Sequence, residues 1–183
     1  MIKTIALDLI GTFLRERDLE LSPLEKLLEG KFGNINNDEA FYAWAKQETK
    51  LLENELKSVV KGIINKLNEV RDPTLFPKLS NFRLVTATNH LSEMDSWLID
   101  SGISNKFYCL VNSALVGAEK PNPDFYKILI DKSDTEISSI LFVDDSSKNI
   151  EGAASCGLRT LLFDRTKILS EEILREVEKY ATK

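Results

Sequence analysis

Thr4-Ile5-Ala6-Leu7-Asp8-Leu9-Ile10-Gly11-Thr12 decides how this chain folds. Its first four residues form a short continuous run, without the polar alternation of a half-exposed strand, and such runs suit strands buried on both faces. An acid, Asp8, follows directly, and Gly11 then lets the backbone turn. Runs of the same kind stand at Arg83 to Thr88, Phe107 to Val111, Ile140 to Val143 and Thr160 to Phe163. Helical stretches separate the later ones: Leu91 to Ile103, Pro123 to Lys132 and Ser147 to Cys156. Strands alternating with helices make βαβ units, so the expected fold is α/β, a Rossmann-like parallel sheet with helices on both sides.

The stretch from Leu14 to Val70 reads differently, with no convincing strand and three helix signals in succession. Ser22-Pro23-Leu24-Glu25 is a capping box with proline at the first helical position, and Gly30 is the expected stop. Asp38 is positioned to cap a second helix. Leu56, Val59, Val60, Ile63, Ile64, Leu67 and Val70 recur at helical spacing and form one apolar face of a third, which Asp72-Pro73 should end. The expected organisation is an α/β core of residues 1–13 plus 72–183, with a helical unit of residues 14–71 inserted after the first strand. An amphipathic helix from Ser170, with Ile173, Leu174 and Val177 on one face, closes the chain.

At 183 residues, with 43 % hydrophobic and 29 % charged residues, the chain has the proportions of a globular domain that needs no disulfide or zinc staple. Its two cysteines, Cys109 and Cys156, fall in no metal-binding spacing and point to a reducing compartment. The net charge of −5 argues against a nucleic-acid partner. No run approaches the roughly 20 apolar residues that span a bilayer, and Asp8 interrupts any leader at the start. A cytoplasmic location is therefore expected, with no membrane partner; the oligomeric state is left open.

Ligands of open parallel sheets bind beyond the carboxyl ends of the strands. There the sequence sets Asp8, then Thr88-Asn89, then Lys120-Pro121 at the start of a helix, then Asp144-Asp145. Two acids, a hydroxyl and an amine on one rim suit phosphoryl transfer. Asp8 is a carboxylate nucleophile, and Mg²⁺ takes hard oxygen ligands from Asp8, Asp144 or Asp145 and one main-chain carbonyl. Lys120 offsets the remaining charge, Thr88 donates to a phosphate oxygen, and the turn at Gly11 brings main-chain N–H groups to the anion. His90, the only histidine, is a possible stand-in acid, though a solvent-facing helix start is the plainer reading. Phe41, Tyr42, Trp44 and Trp97 read as packing, and Glu16 and Asp18 as solvated charges near the site.

These residues resemble the motifs of the haloacid dehalogenase superfamily, phosphatase type, with the insert in the place of that family's first-position (C1-type) helical cap. Asp8, Gly11 and Thr12 match its first motif, Thr88-Asn89 its second and Lys120-Pro121 its third. Phe142-Val143-Asp144-Asp145 matches the fourth, followed by Asn149 at the later polar position. The resemblance implies a Mg²⁺-dependent phosphohydrolase acting on a small phosphorylated substrate through an aspartyl-phosphate. It makes Asp8, Thr88 and Lys120 catalytic, Gly11, Thr88, Asn89 and Lys120 phosphate-binding, and Asp8, Ile10 through its carbonyl, Asp144 and Asp145 metal ligands. One position departs: Ile10 stands where the family carries a second aspartate, the general acid and base. Two alternatives follow from that. One is a member that binds a phosphorylated ligand or a partner with little turnover. The other is a hydrolytic 2-haloacid dehalogenase, although that branch lacks the acidic pair kept here.

Overall fold

The computed structural model of the chain describes residues 1–35 and 37–181. In chain order it forms β1 (Thr4–Leu7), β2 (Leu14–Glu16), α1 (Pro23–Glu29), α2 (Asp38–Thr49), α3 (Glu53–Leu67), β3 (Asn68–Val70), α4 (Leu75–Lys78) and β4 (Arg83–Thr86). Then come α5 (Glu93–Asp100), α6 (Ser113–Val116), α7 (Pro123–Ser133), β5 (Ile140–Asp144), α8 (Ser147–Ser155), β6 (Arg159–Leu162) and α9 (Leu169–Glu178). Four strands lie parallel in the order β4-β1-β5-β6. Leu7 is level with Thr86 on one side and with Val143 on the other, so Asp8 and Asp144 leave the sheet side by side.

Every residue of β1 and β5 is buried, and alternate residues serve opposite faces. Ile5, Leu7, Leu141 and Val143 pack into one apolar cluster with the helices of residues 23–67 and with Leu98 and Ile173. Ala6, Ile140 and Phe142 join a second cluster with Phe125, Tyr126 and Leu129 of α7 and Ala153 of α8. A sheet covered on both faces explains why its strands read as unbroken apolar runs. Among the described residues no helix is long and apolar enough to cross a membrane.

Ser22 and Glu25 close the expected capping box on α1, with Ser22 N donating to Glu25 Oε2 at 2.7 Å, and Gly30 ends that helix. Three expectations need correction. The cap of α2 is Asn37, whose Oδ1 accepts from Ala40 N at 3.0 Å; Asp38 accepts from Ser92 N at 3.1 Å and so ties α2 to the start of α5. The third helix stops at Leu67, before Asp72-Pro73, because residues 68–70 pair antiparallel with residues 14–16 as a two-stranded ribbon. Arg15 and Arg17 both donate to Glu69 across it, at 2.6 and 3.2 Å. The stretch Phe107 to Val111 lies beside β4 but is reduced to isolated bridges, Val85 with Cys109 and Thr88 with Asn112. The Thr86 hydroxyl takes the Val111 N–H at 2.9 Å and so breaks the main-chain ladder.

Asp72 fastens the return from the ribbon to α9. Its carboxylate accepts from Thr74 N and Oγ1 at 2.9 and 2.6 Å and from Ser170 N at 3.0 Å. Burial pushes this carboxyl up, but the hydrogen bonds from Ser170 and Thr74 outweigh it and hold the group below the usual carboxylate range. A group held low in the folded state stabilises above its unfolded pKa, and that stability is lost as pH falls through the folded value. Asp72→Asn should therefore cost about 1–3 kcal/mol at pH 7. The difference from wild type should shrink below about pH 4, as denaturant titrations at both pH values would show.

Candidate active site

Lys120 is the centre of the carboxyl edge. Its side chain is 1 % exposed, and Nζ lies 2.7 Å from Asp8 Oδ1 and 2.7 Å from Asp144 Oδ2. Three segments far apart in sequence thus meet at one ammonium. Asn89 holds the lysine from behind: its Nδ2 donates to Lys120 O at 2.9 Å and its Oδ1 accepts from Lys120 N at 2.9 Å. Gly152 lets α8 close on the same loop, since a Cβ there would lie 2.7 Å from Pro121 Cβ. Asp144 also accepts from Asn149 Nδ2 at 3.0 and 3.1 Å and from Ser146 N at 2.8 Å.

Two buried carboxylates share one cation, which leaves an excess of negative charge. Burial pushes the Asp8 carboxyl up to about 7; Lys120 pulls it down, and Asp144 and Asp145 add to the rise. Burial alone would lower Lys120, but Asp8 and Asp144 together raise it, so the ammonium stays charged. Asp145, less buried, accepts from Arg165 Nε at 2.5 Å and lies 3.4 Å from the Thr12 hydroxyl. Each of Asp8, Asp144 and Asp145 offers a carboxylate oxygen, and these lie within 4.8 Å of one another.

The turn after β1 adds to this set. Among the described residues, every main-chain carbonyl from Asp8 to Phe13 accepts a hydrogen bond except that of Ile10. Three carboxylates and a spare carbonyl are hard oxygen donors, and they fit a divalent cation such as Mg²⁺. The turn at Gly11 leaves some main-chain N–H groups spent and others not. Gly11 N–H donates to Leu14 O at 3.1 Å, whereas the N–H groups of Leu9 and Ile10 have no acceptor among the described residues. Gly11 is needed because its φ is +90° and a Cβ would lie 2.6 Å from Asp145 Oδ2.

Thr88 is buried two residues beyond the β4 ladder, at the same edge, with Thr88 N donating to Val111 O at 2.9 Å. His90 is buried against Phe32, not facing solvent, and burial lowers it to about 4, so it is neutral at pH 7. Phe41, Tyr42 and Trp97 are buried packing residues. Sequence reasoning missed Arg165, and also Arg71, which donates to the carbonyls of Gly11 and Thr12 at 3.0 Å each and so braces the turn. Neither belongs to a local pattern; both reach the site only through the fold.

A cavity of about 190 Å³ adjoins this set. Its wall includes Ile10, Asn89 and His90 on one side and Ile63, Ile64 and Leu67 of α3 on the other. A wider groove of about 840 Å³, with Lys3 and Arg83 in its lining, opens at the amino end of the sheet, away from the acids.

Known proteins similar to this chain share its fold. "Phosphatase MT3486" of Mycobacterium tuberculosis (strain CDC 1551 / Oshkosh) is 31 % identical over 68 residues, 37 % of this chain and 31 % of that protein. The matched stretches take up only 8 to 31 % of the curated relatives' length. A predicted HAD-like hydrolase of Porphyromonas gingivalis superposes with TM-score 0.71 at 20 % identity, over 97 % of this chain and 98 % of that one. A HAD family enzyme of Bacteroides thetaiotaomicron, solved in complex with magnesium and inorganic phosphate, gives 0.70 at 15 % identity, over 93 % and 98 %. The model of the haloacid dehalogenase-like hydrolases matches residues 22–163, most of the chain, and β1 with Asp8 precedes that span. With its four-strand parallel sheet and its acid, lysine and acidic pair in family order, the chain belongs to the haloacid dehalogenase-like hydrolase family.

Proposed function

We propose that this protein is a Mg²⁺-dependent phosphohydrolase acting on a small phosphate monoester through an aspartyl-phosphate on Asp8. The observation that carries the reading is Lys120 buried between Asp8 and Asp144, a cation placed where a transferring phosphoryl group gathers negative charge. An Asp8 oxygen attacks phosphorus, the bond to the ester oxygen breaks, and its electron pair leaves with that oxygen. Water then attacks the aspartyl-phosphate, regenerates the carboxylate and releases inorganic phosphate. The N–H groups of Leu9 and Ile10, the Lys120 ammonium and the Thr88 hydroxyl receive the phosphate oxygens. Asn89 acts through Lys120, whose main chain it clamps. Asp8, Asp144, Asp145 and the Ile10 carbonyl would hold Mg²⁺, which when bound neutralises charge on the phosphoryl group.

Residues 14–71 serve in this reading as a helical cap. The support is the cavity between α3 and the turn at Ile10, which sets an apolar roof beside the reacting carboxylate. Position 10 itself supplies no proton. A general acid is worth about 10²- to 10⁴-fold. The neutral, buried His90 is poorly suited to replace it.

Phosphate release from an aryl phosphate should require Mg²⁺, and Asp8→Asn should reduce it at least about 10³-fold. Calorimetry should show Mg²⁺ binding at millimolar concentration, weakened in Asp144→Asn. Metal binding without release from any ester would favour a binding protein with little turnover, and halide release without Mg²⁺ a dehalogenase.

Leaving-group dependence tests Ile10. Wild type should split aryl phosphates far faster than alkyl ones, because only a poor leaving group needs the missing proton. Ile10→Asp should raise the alkyl-to-aryl ratio of kcat/KM, and His90→Ala should leave it unchanged.

A further inference from the structure

We infer that the cavity beside Ile10 is the leaving-group pocket and that it takes the alcohol part of an amine-bearing phosphate ester. The inference rests on the phosphohydrolase reading of the Asp8 site. Ile10, two residues from the nucleophile, and Asn89, which clamps Lys120, both belong to the cavity wall, so the pocket begins where a phosphate on Asp8 would end. Its volume of about 190 Å³ limits the occupant to a small group, on the order of half a dozen non-hydrogen atoms.

Charge decides which group. Glu16 and Glu29 line the cavity, neither is ion-paired among the described residues, and no lysine or arginine lines it. A second phosphate or a carboxylate on the substrate would face two like charges with no cation in the cavity wall, Arg17 and Lys26 meeting the same two glutamates only in the adjoining groove. An ammonium meets the opposite situation.

Asn68 points to a hydrogen-bond donor independently of charge. It lines the same cavity and is 6 % exposed; its Nδ2 is spent on Ile64 O at 2.9 Å, and its Oδ1 is buried with no partner. Buried acceptors are seldom left unpaired, and an N–H group of the occupant supplies the missing donor. The same amine answers the absence of an acid at position 10. A nearby ammonium makes an alcohol more acidic, so its oxygen departs with less need of a donated proton.

Phosphonates, which have no scissile ester bond, read the pocket without turnover. Titration calorimetry in Mg²⁺ would compare 2-aminoethylphosphonate with propylphosphonate, its uncharged counterpart of equal size, and with 2-carboxyethylphosphonate. The amine should bind at least tenfold more tightly than the propyl compound and the carboxylate more weakly than both. Glu16→Gln with Glu29→Gln, two changes at side chains outside the apolar core, should abolish the preference with the circular dichroism spectrum unchanged. Equal binding of the amine and propyl compounds, a preference that survives the double substitution, or no binding of any of the three would overturn the inference. Discrimination among phosphonates without hydrolysis of any ester would sink the phosphohydrolase reading and leave the pocket standing. Aryl phosphate hydrolysis without discrimination would do the reverse.

Discussion

A lysine ammonium removed from water and set 2.7 Å from each of two carboxylates is the constraint around which the carboxyl edge is organised. Isolated charges are costly to bury; the ammonium is tolerable because two carboxylates face it, and each carboxylate because it faces the ammonium. Asp8 comes from the end of β1, Asp144 from the end of β5, and Lys120 from the loop before α7. Strand register, the Asn89 clamp and the close seating of α8 at Gly152 all have to hold for the three to meet. The balance is incomplete, since one ammonium cannot neutralise two acids. Burial lifts the Asp8 carboxyl, the neighbouring acids add to the rise, and the surplus of oxygen donors suits the edge to a divalent cation.

Much of this was legible before any coordinates. β1 and β5 are continuous apolar runs because both faces are covered, and their ends follow from the acids that interrupt them. Asp8 and Asp144 stand at strand ends, as the sequence pattern predicts, whereas Thr88 lies two residues beyond β4 and Lys120 in the loop before α7. What was not legible depends on contacts between distant segments. The Leu14–Val70 pairing involves only three residues a side, too few to show a period. The segment at Phe107 has strand composition, yet one hydroxyl, that of Thr86, diverts its pairing. Arg71 and Arg165 lie in no motif, and only tertiary folding brings the first to the turn it braces and the second to Asp145.

Ile10 changes meaning when seen in place. As a motif position it is a deficit, a missing acid. In the fold it belongs to the wall of the cavity under α3, while its main-chain carbonyl and N–H have no partner among the described residues. The backbone and the side chain of one residue thus face different surroundings, and a change of the side chain leaves the main-chain groups in place.

The ribbon of β2 and β3 has a consequence for how such a protein can change over time. Leu14 pairs with Val70, so the chain leaves the sheet domain and returns to it at neighbouring points. The ribbon therefore ties the two ends of the insert together, whatever lies between. Lengthening or shortening the segment between them changes a loop already closed at its base, and the entropy of that closure grows slowly with length, as long as the apolar faces that pack on the sheet and on α5 are kept. Variation in such a segment is thereby decoupled from strand register, because the points at which the chain leaves and rejoins the sheet stay fixed.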